Sequence, residues 1–397
     1  MDNGHPKIKP SKRTELVQEY YFSHKLRQID EMRKSSLDII NLGIGSPDLP
    51  PAPAVIEKLS VAARLPNVHG YQSYNGIPDL RKAFAGWYKK YFHVELDPDS
   101  EILPLIGSKE GIMHISMAFV NPGDEVLVPD PGYPTYSSVT SLIGGNIRYY
   151  DLDEKNGWAP DLDKLESSDL GRVKLMWINY PHMPTGAKGS LRLFEKLVGF
   201  ASKNDILLCN DNPYSFILNR EYISLLSVDG AREIALELNS LSKSHNMAGW
   251  RIGMVAGHRE YISSILKVKS NMDSGIFRAM QLAAVEALGN PDPWYDKVNF
   301  HYVNRKKIVE SIMDLLNCRY DKNQAGLFVW GRIPDEITSC EHFVEDILLK
   351  ANVFVTPGFI FGNNGKRYIR ISLCADEKTL GESRKRIEFY LKNQINQ

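Results

Sequence analysis

Residues 239–253 of this 397-residue chain place a lysine and an arginine between two apolar runs. Lys243 stands among serines, and Arg251 follows eight residues later between Gly249 and Gly253. An amine in such a turn can form a Schiff base with a bound carbonyl compound, and a guanidinium can hold an anion. A lone lysine is more often an exposed loop residue. The segment therefore indicates Schiff-base chemistry only if partner residues occur elsewhere.

An aspartate and a tyrosine follow the apolar run of residues 206–209. Asp211 and Tyr214 occur there in the sequence Asn-Asp-Asn-Pro-Tyr. A carboxylate at the carboxyl end of a buried strand is unfavourable unless it has a partner, and a protonated ring nitrogen would be such a partner. A turn or capping aspartate is the alternative interpretation.

Two further segments contain groups suited to anions. Ser108 follows Gly107 where the predicted strand of residues 102–106 turns into a helix, and such a turn offers backbone N–H groups to a phosphate. Arg370 lies inside the strand-like run of residues 367–373, so it needs an anion to face. A turn without a ligand and a solvent-facing edge arginine are the corresponding alternatives.

An aromatic residue and a glycine-rich turn complete the candidates. Tyr133 follows the predicted strand of residues 125–128, where its ring can lie flat on a pyridine ring or can belong to the core. Gly45 belongs to the turn Gly-Ile-Gly-Ser-Pro-Asp. Glycines let a backbone approach a ligand closely, although an ordinary turn has the same residue types.

These motifs, in this order, resemble the class I/II aminotransferase family of pyridoxal-phosphate (PLP) enzymes from about residue 40 to about residue 375. The family's lysine signature, Ser-x-Ser-Lys followed by Gly-x-Arg-x-Gly, matches Ser240, Lys243 and Arg251. The resemblance implies that Lys243 forms the Schiff base with PLP. It also implies that Lys243, Asp211 and Tyr214 are the catalytic residues.

The same resemblance implies the remaining contacts of the site. The implied cofactor-binding residues are Ser108, Lys109, Tyr133, Asp211, Tyr214, Ser240, Lys243, Arg251 and Tyr71. The implied substrate-binding residues are Gly45, Lys109 and Arg370, with Arg370 on the α-carboxylate. Because relatives use the tyrosine at Tyr71 to reach the phosphate of the neighbouring subunit, a homodimer with shared active sites is expected. No metal site is expected.

Met183 is the clearest departure from the family pattern. Most relatives have an asparagine before Pro-Thr-Gly, and this asparagine donates a hydrogen bond to the phenolic oxygen of the cofactor. A methionine thioether cannot donate. His182, the preceding residue, is an alternative donor.

Alternating strand and helix patterns from about residue 100 predict an α/β fold with a mostly parallel sheet wrapped by helices. The resemblance makes this fold type I, with a mainly parallel seven-stranded sheet in the large domain and a smaller α/β domain. It implies a large PLP-binding domain over residues 55–290. Residues 1–54 then join residues 291–397 in the small domain.

The composition favours small-molecule partners. Forty-eight basic and forty-eight acidic residues cancel, so the net charge attracts neither nucleic acid nor an anionic membrane. No apolar run reaches the roughly 20 residues of a membrane span, and residues 1–13 have no signal-peptide core, so a cytoplasmic protein is expected. The four cysteines are far apart and are expected to be buried free thiols: Cys209, Cys318, Cys340 and Cys374.

The expected function is transfer of an amino group from an amino acid to a 2-oxo acid. A PLP-dependent lyase or synthase is the first alternative, because it would use the same residues. A non-catalytic regulator is the second, but such proteins carry an added DNA-binding domain, for which no room is expected ahead of Gly43. Residues 43–50 and 270–277 resemble the LL-diaminopimelate aminotransferase branch most. Acidic or diaminodicarboxylic substrates are therefore expected, with Lys109 or Arg278 facing a distal carboxylate.

Overall fold

The computed structural model describes residues 8–17, 19 and 21–395. Its strands are β1 (Ile40–Asn41), β2 (Ile102–Leu105), β3 (Glu125–Asp130), β4 (Asn146–Asp151), β5 (Val173–Ile178), β6 (Leu207–Asp211), β7 (Ala235–Ser240), β8 (Gly253–Gly257), β9 (Arg319–Tyr320), β10 (Phe328–Arg332), β11 (Val353–Phe354), β12 (Thr356–Pro357) and β13 (Tyr368–Ser372). Its α-helices are α1 (Lys12–Glu15), α2 (Tyr21–Lys34), α3 (Pro53–Ala62), α4 (Pro78–Phe92), α5 (Ser108–Phe119), α6 (Pro134–Leu142), α7 (Leu162–Glu166), α8 (Leu191–Lys203), α9 (Ala231–Ile234), α10 (Leu241–Ser244), α11 (Arg259–Lys269), α12 (Arg278–Leu288), α13 (Asp292–Leu315), α14 (Cys340–Ala351) and α15 (Glu377–Ile395).

Seven strands form the large sheet in the order β2-β8-β7-β6-β5-β3-β4. β8 runs antiparallel to both neighbours, and the other pairs are parallel, which confirms the predicted mainly parallel sheet. Because parallel strands end at a common edge, the last residues of β5, β6 and β7 lie side by side: Ile178, Asp211 and Ser240. Gly253 opens β8 opposite Ser240, so Arg251 reaches the same edge.

Helices cover both faces of the large sheet. In β5, Leu175 and Trp177 belong to one buried cluster, whereas Met176 and Ile178 belong to the other, as the alternation of side chains along a strand requires. The first cluster includes apolar residues of α5, α6 and α11, and the second includes those of α4, α8 and α12. Strands buried on both faces read as continuous apolar runs, which explains why sequence patterns located them.

The C-terminal part contains a four-stranded antiparallel sheet in the order β12-β13-β10-β9. Arg370 lies in the middle of β13, opposite Trp330 of β10. Ile40 of β1 pairs in parallel with Val353 of β11, which attaches the chain after α2 to this C-terminal part. The glycine-rich turn that follows β1 is thereby carried towards Arg370.

All four cysteines are free thiols, as predicted. Cys209, Cys318 and Cys340 are buried, and Cys374 is half-buried. Within residues 8–17, 19 and 21–395, none of the helices has both the length and the apolar composition that crossing a membrane requires.

The large sheet contains a buried carboxylate that has no cationic partner among the described residues. Glu237 of β7 is 0% exposed. It accepts hydrogen bonds from Tyr88 Oη (3.0 Å), Asn210 Nδ2 (2.9 Å), Ser224 Oγ (2.8 Å) and the Leu225 backbone N–H (2.9 Å). Burial raises the pKa of the Glu237 carboxyl, and the four donors counteract this rise. The carboxylate therefore ties three separate segments to β7.

We expect Glu237→Ala to lower the free energy of unfolding by about 3 kcal/mol or more, because each buried donor left without an acceptor costs about 1–3 kcal/mol. Equilibrium urea unfolding of the cofactor-free protein measures this loss. Glu237→Gln keeps one acceptor oxygen and should lose less. Glu233→Ala, at an exposed position nearby, is the control and should change stability by no more than about 0.5 kcal/mol. Equal effects of both alanine variants would contradict the role of the buried carboxylate.

Candidate functional site

A cavity of about 490 Å³ lies where the carboxyl ends of the large sheet face the second sheet. Its walls come from both sheets and from the N-terminal segment. The lining residues are Phe22, Gly45, Ser108, Lys109, Tyr133, Tyr136, Asn179, Met183, Asp211, Pro213, Tyr214, Ser240, Ser242, Lys243, Ala248, Arg251, Phe328, Phe361 and Arg370.

The cavity brings together ten residues that the sequence singled out. They are Gly45, Ser108, Lys109, Tyr133, Asp211, Tyr214, Ser240, Lys243, Arg251 and Arg370. Tyr71 and Arg278 do not line it, and Tyr71 is 92% exposed. The implied role of Tyr71 concerns a neighbouring subunit, so its exposure in one chain leaves that prediction open.

Lys243 reaches into the cavity from α10, the short helix that follows β7. Its Nζ donates to the backbone carbonyl of Gly45 at 2.5 Å. Burial lowers the pKa of the Lys243 amine, because the charged form is less well solvated there. A Cβ atom at Gly45 would lie 2.1 Å from Cζ of Phe328, so only glycine fits here without moving the aromatic ring.

Asp211 is the last residue of β6 and is 4% exposed. Its Oδ2 accepts a hydrogen bond from Tyr136 Oη at 3.1 Å. Its buried Oδ1 has no hydrogen-bond partner among the described residues. Burial raises the pKa of the Asp211 carboxyl from 3.8 to about 6, against the lowering effects of the Tyr136 and Ser108 hydroxyls and of the Lys243 charge. The site thus presents one buried carboxylate oxygen to a donor.

Hydroxyl groups and a guanidinium cluster at the start of α5. Gly107 has a φ of +82°, and a Cβ atom there would lie 2.2 Å from Nη2 of Arg251. Ser240 Oγ donates to Ser242 Oγ at 2.8 Å, and Arg251 Nη1 donates to Ser242 Oγ at 3.4 Å. Ser108, the first residue of α5, adds a third hydroxyl and the positive end of the helix. This arrangement suits a phosphate.

Arg370 is 4% exposed and is surrounded by aromatic rings. Its guanidinium carbon lies 3.8 Å from the ring centroid of Phe328, 4.6 Å from that of Phe361 and 5.7 Å from that of Phe22. Nη2 donates to the Gly43 carbonyl at 2.8 Å. The rings exclude water, which strengthens the attraction of this cation for an anion that enters the cavity.

Met183 contacts Arg370 directly, since Arg370 Nη1 donates to Met183 Sδ at 3.3 Å. The backbone N–H of Met183 donates to Asn179 Oδ1 at 2.7 Å. His182 Nδ1 lies 2.8 Å from Thr185 Oγ1, and His182 does not line the cavity. The histidine considered as a replacement donor therefore lies outside the cavity, with one ring nitrogen next to Thr185, and burial lowers its pKa to about 3.

Three tyrosines form part of the cavity wall: Tyr133, Tyr136 and Tyr214. Tyr133 precedes α6, and its ring meets that of Tyr136 edge-on, with centroids 5.6 Å apart and planes at 89°. Tyr214 is buried next to the end of β6, and burial raises the pKa of its hydroxyl above its ordinary value. The hydroxyls of Tyr133 and Tyr214 therefore keep their protons at neutral pH and can donate hydrogen bonds.

The sequence did not single out several cavity residues as site residues, among them Phe22, Asn179, Phe328 and Phe361. Asn179 follows β5 and donates to the backbone carbonyl of Asp211, so its place after a buried strand was an available signal. The three phenylalanines come from segments far apart in the chain, and their residue type is common in cores. No local pattern distinguishes such rings from ordinary packing.

Outside the cavity, Glu110, His114 and Asp273 form a cluster whose ligand-type atoms lie within 4.8 Å of one another. Lys269, which is 0% exposed, places Nζ 2.9 Å from Asp273 Oδ1 and 2.7 Å from Asp273 Oδ2. The carboxylate thus already has a cation, and an added metal ion would have to displace the buried ammonium.

Sequence comparisons with known proteins assign this chain to one family. The family profile described as aminotransferase class I and II matches residues 37–387. The LL-diaminopimelate aminotransferase of Dehalococcoides mccartyi is 41% identical over 376 residues, covering 94% of this chain and 96% of the relative. That of Aquifex aeolicus is 40% identical and covers 95% of this chain and 98% of the relative.

Solved structures agree with the sequence comparisons. The apo-BacF structure from Bacillus subtilis superposes with a TM-score of 0.92 at 33% identity, covering 97% of this chain and 98% of that one. A fold type I aminotransferase architecture is thereby confirmed. From the family match, the relatives and this fold, we conclude that the chain belongs to the aminotransferase class I and II family and is an aminotransferase.

Proposed function

We propose that this enzyme transfers an amino group from a diaminodicarboxylic acid, LL-diaminopimelate, to a 2-oxo acid, with PLP held at Lys243. The observation that carries the proposal is the convergence of Lys243, Asp211 and Arg370 on one cavity. The relatives from Dehalococcoides mccartyi and Aquifex aeolicus are LL-diaminopimelate aminotransferases, which supports this substrate. A PLP lyase or synthase and a non-catalytic regulator are not favoured, because the matched family and these relatives are aminotransferases.

The residues present fit PLP at each of its polar groups. Asp211 Oδ1, buried and without a partner among the described residues, suits the ring N–H. Ser108, Ser240 and Arg251 suit the phosphate, since they supply hydroxyls, a guanidinium and a helix N-terminus. Tyr133 would cover the ring and Tyr214 would donate to the phenolic oxygen. When bound, PLP supplies a carbonyl carbon that joins reversibly to amines and a ring that takes up an electron pair.

Lys243 is proposed as the proton carrier as well as the attachment point. Burial lowers the pKa of its amine, so a larger fraction is neutral at a given pH than for an exposed lysine. A neutral amine can take the proton from the substrate Cα and return it to a neighbouring carbon. The Gly45 carbonyl, 2.5 Å from Nζ, holds the amine on the side of the cavity that faces β1.

Arg370 is proposed to bind the α-carboxylate. Its acceptors include the Gly43 carbonyl and the Met183 thioether, and a carboxylate would make stronger, charge-assisted bonds with the same guanidinium. Lys109 is proposed to bind the distal carboxylate. Lys243, Arg251 and Arg370 also line the cavity, but each of them already has another proposed role. Arg278 stays outside the cavity of one chain.

The assembly is part of the proposal. Tyr71, 92% exposed on one chain, suits a homodimer in which it reaches the phosphate of the neighbouring subunit. Pairing of β1 with β11 supports a small domain made of residues 1–54 and 291–397, with residues 55–290 as the PLP-binding domain. Four free cysteines suit a cytoplasmic location, where thiols stay reduced.

Lys243→Ala should abolish turnover, with a loss of at least about a hundredfold in kcat, because it removes the amine that moves the proton. Steady-state transamination of LL-diaminopimelate with 2-oxoglutarate measures the loss. Lys58→Ala, at an exposed position on α3, is the control and should keep the wild-type rate. Near-normal turnover by Lys243→Ala would overturn the proposed role.

Asp211→Asn should raise the stability of the folded protein at neutral pH while it lowers the activity. The folded-state pKa of about 6 exceeds the ordinary 3.8, so the folded protein binds this proton more tightly, and stability falls as pH rises from about 4 to 6. The rise corresponds to about 3 kcal/mol, at about 1.36 kcal/mol per pKa unit. Cofactor-free Asp211→Asn should therefore be more stable than wild type at pH 7 and similar at pH 4, while its kcat falls strongly. Urea unfolding at both pH values tests this, and a stability difference that does not depend on pH would contradict it.

The substrate proposal predicts that LL-diaminopimelate, glutamate or aspartate turns over faster than leucine. Lys109→Met should raise KM for LL-diaminopimelate by about tenfold or more, since a hydrogen bond to a charged group contributes about 1.5–3 kcal/mol. The same variant should change KM for leucine little, because leucine has no distal carboxylate. Faster turnover with leucine, or equal KM changes for both substrates, would contradict the proposal.

A further inference from the structure

Helix α13 (Asp292–Leu315) hydrogen-bonds to several segments that carry cavity residues, although α13 itself does not line the cavity. Three of its side chains make these bonds: Tyr295, Asn299 and Arg305. Tyr295 and Arg305 are ten positions apart, which corresponds to about 15 Å of helix at about 1.5 Å per residue. On α13 itself, Tyr295 and Arg305 are buried and Asn299 is half-buried, so solvent competes little for these three side chains.

Tyr295 begins a chain of hydrogen bonds that ends beside Lys243. Trp87 Nε1 donates to Tyr295 Oη at 3.3 Å, and Tyr295 Oη lies 2.9 Å from His245 Nε2. His245 Nδ1 lies 2.7 Å from Ser244 Oγ, and Ser244 Oγ donates to the Ser240 carbonyl at 3.3 Å. Ser240 and Ser244 flank Lys243 in the sequence. The hydrogen-bond chain therefore holds the backbone on both sides of this lysine.

The direction of this chain follows from its two ends. An indole N–H can only donate and a carbonyl can only accept. The Ser244 hydroxyl donates to the carbonyl, so its oxygen accepts from His245 Nδ1–H, and His245 Nε2 then accepts from the Tyr295 hydroxyl. The His245 ring is 0% exposed, and burial lowers its pKa to about 3, so the ring is neutral at pH 7. The directions of the two bonds assign its proton to Nδ1. The polar atoms of the chain each have a partner.

Asn299 holds the segment that follows Tyr214. Its Nδ2 donates to the Phe216 carbonyl at 2.8 Å, and its Oδ1 accepts from the Leu218 N–H at 2.7 Å. One side chain thus replaces the two missing backbone partners of this turn. Leu218 has a φ of +51°, a conformation that costs energy outside glycine and that these bonds help to hold.

Arg305 joins the two segments proposed to bind the α-carboxylate. It is 1% exposed, and its Nη1 and Nη2 donate to the two Asp48 carboxylate oxygens at 2.6 and 2.8 Å. Nη1 also donates to the Leu373 carbonyl at 3.1 Å. Asp48 lies three residues after Gly45, and Leu373 lies three residues after Arg370.

We propose that Tyr295, Asn299 and Arg305 are positioning residues. From one rigid helix, they fix the positions of Lys243, Tyr214 and the Gly45–Arg370 pair relative to one another. A helix suits this task, because sites built on regular elements are held more closely than sites on loops. The inference rests on the proposed function only where it assigns a kinetic effect to Tyr295 and to Arg305. Tyr295 acts on the proton carrier, and Arg305 acts on the carboxylate site.

Two conservative variants and a matched control test the proposal in the full-length holoenzyme. Tyr295→Phe removes one hydroxyl and should lower kcat between about tenfold and a hundredfold with little change in KM, since small displacements of catalytic groups have effects of this size. Arg305→Lys loses the two-pronged contact with Asp48 and should raise KM for the amino acid about tenfold. Tyr302→Phe is the control: Tyr302 is a 0% exposed tyrosine of α13 whose hydroxyl has no hydrogen-bond partner among the described residues, and both parameters should stay at the wild-type value.

A readout independent of turnover is the tautomer of His245, measured by ¹⁵N nuclear magnetic resonance of histidine-labelled protein and assigned with His245→Gln. The Nδ1–H form is expected in wild type and in Tyr302→Phe, and a changed Nε2 signal is expected in Tyr295→Phe. An Nε2–H form in wild type would overturn the hydrogen-bond chain. Kinetic effects of Tyr295→Phe and Arg305→Lys that equal those of Tyr302→Phe, or that change kcat and KM together, would overturn the positioning role. If wild type shows the expected tautomer but does not transaminate, the proposed function fails while the hydrogen-bond chain stands.

Discussion

The buried carboxylate of Asp211 is the constraint on which the arrangement of the site depends. Ionised, it destabilises the folded chain because burial removes its hydration and leaves Oδ1 without a partner among the described residues. Lys243 and Arg370 are cations in the same cavity, and the Lys243 amine donates to the Gly45 carbonyl. A cationic ring that enters between these groups would complete the pairing of charges. Binding of such a ring would therefore offset the cost of burying the Asp211 carboxylate.

The topology of the large sheet explains how these charges come together. Parallel strands deliver Asp211 and Ser240 to one edge, and the antiparallel return of β8 brings Arg251 back to it. The second sheet then closes the cavity with Arg370 of β13. Charges from distant parts of the sequence meet here without any local segment having to bury two of them. The cost of burial is spread over many strands that are each stable by their apolar packing.

Strand ends and special residues were predictable from the sequence, whereas contacts between distant segments were not. Lys243, Asp211 and Arg370 stand out because charged residues inside or after apolar runs are unusual. The seven-stranded sheet followed from alternating apolar strands and helices together with the family resemblance. Phe22 and Arg305 carry no such signal, since a helical phenylalanine and a helical arginine are ordinary. Their neighbours, Arg370 and Asp48, are fixed only by the packing of the whole chain.

Met183 shows how one substitution can change which contacts are coupled. An asparagine at this position could present its oxygen to Arg370 and its amide hydrogens to the cofactor, so that moving one contact would disturb the other. The Met183 thioether accepts weakly from Arg370 and donates nothing. A substrate carboxylate can therefore take over Arg370 with little loss, and its arrival does not withdraw a donor from the ring. In this chain the proposed carboxylate site and the proposed cofactor site are neighbours in one cavity, but residue 183 does not link them through an amide.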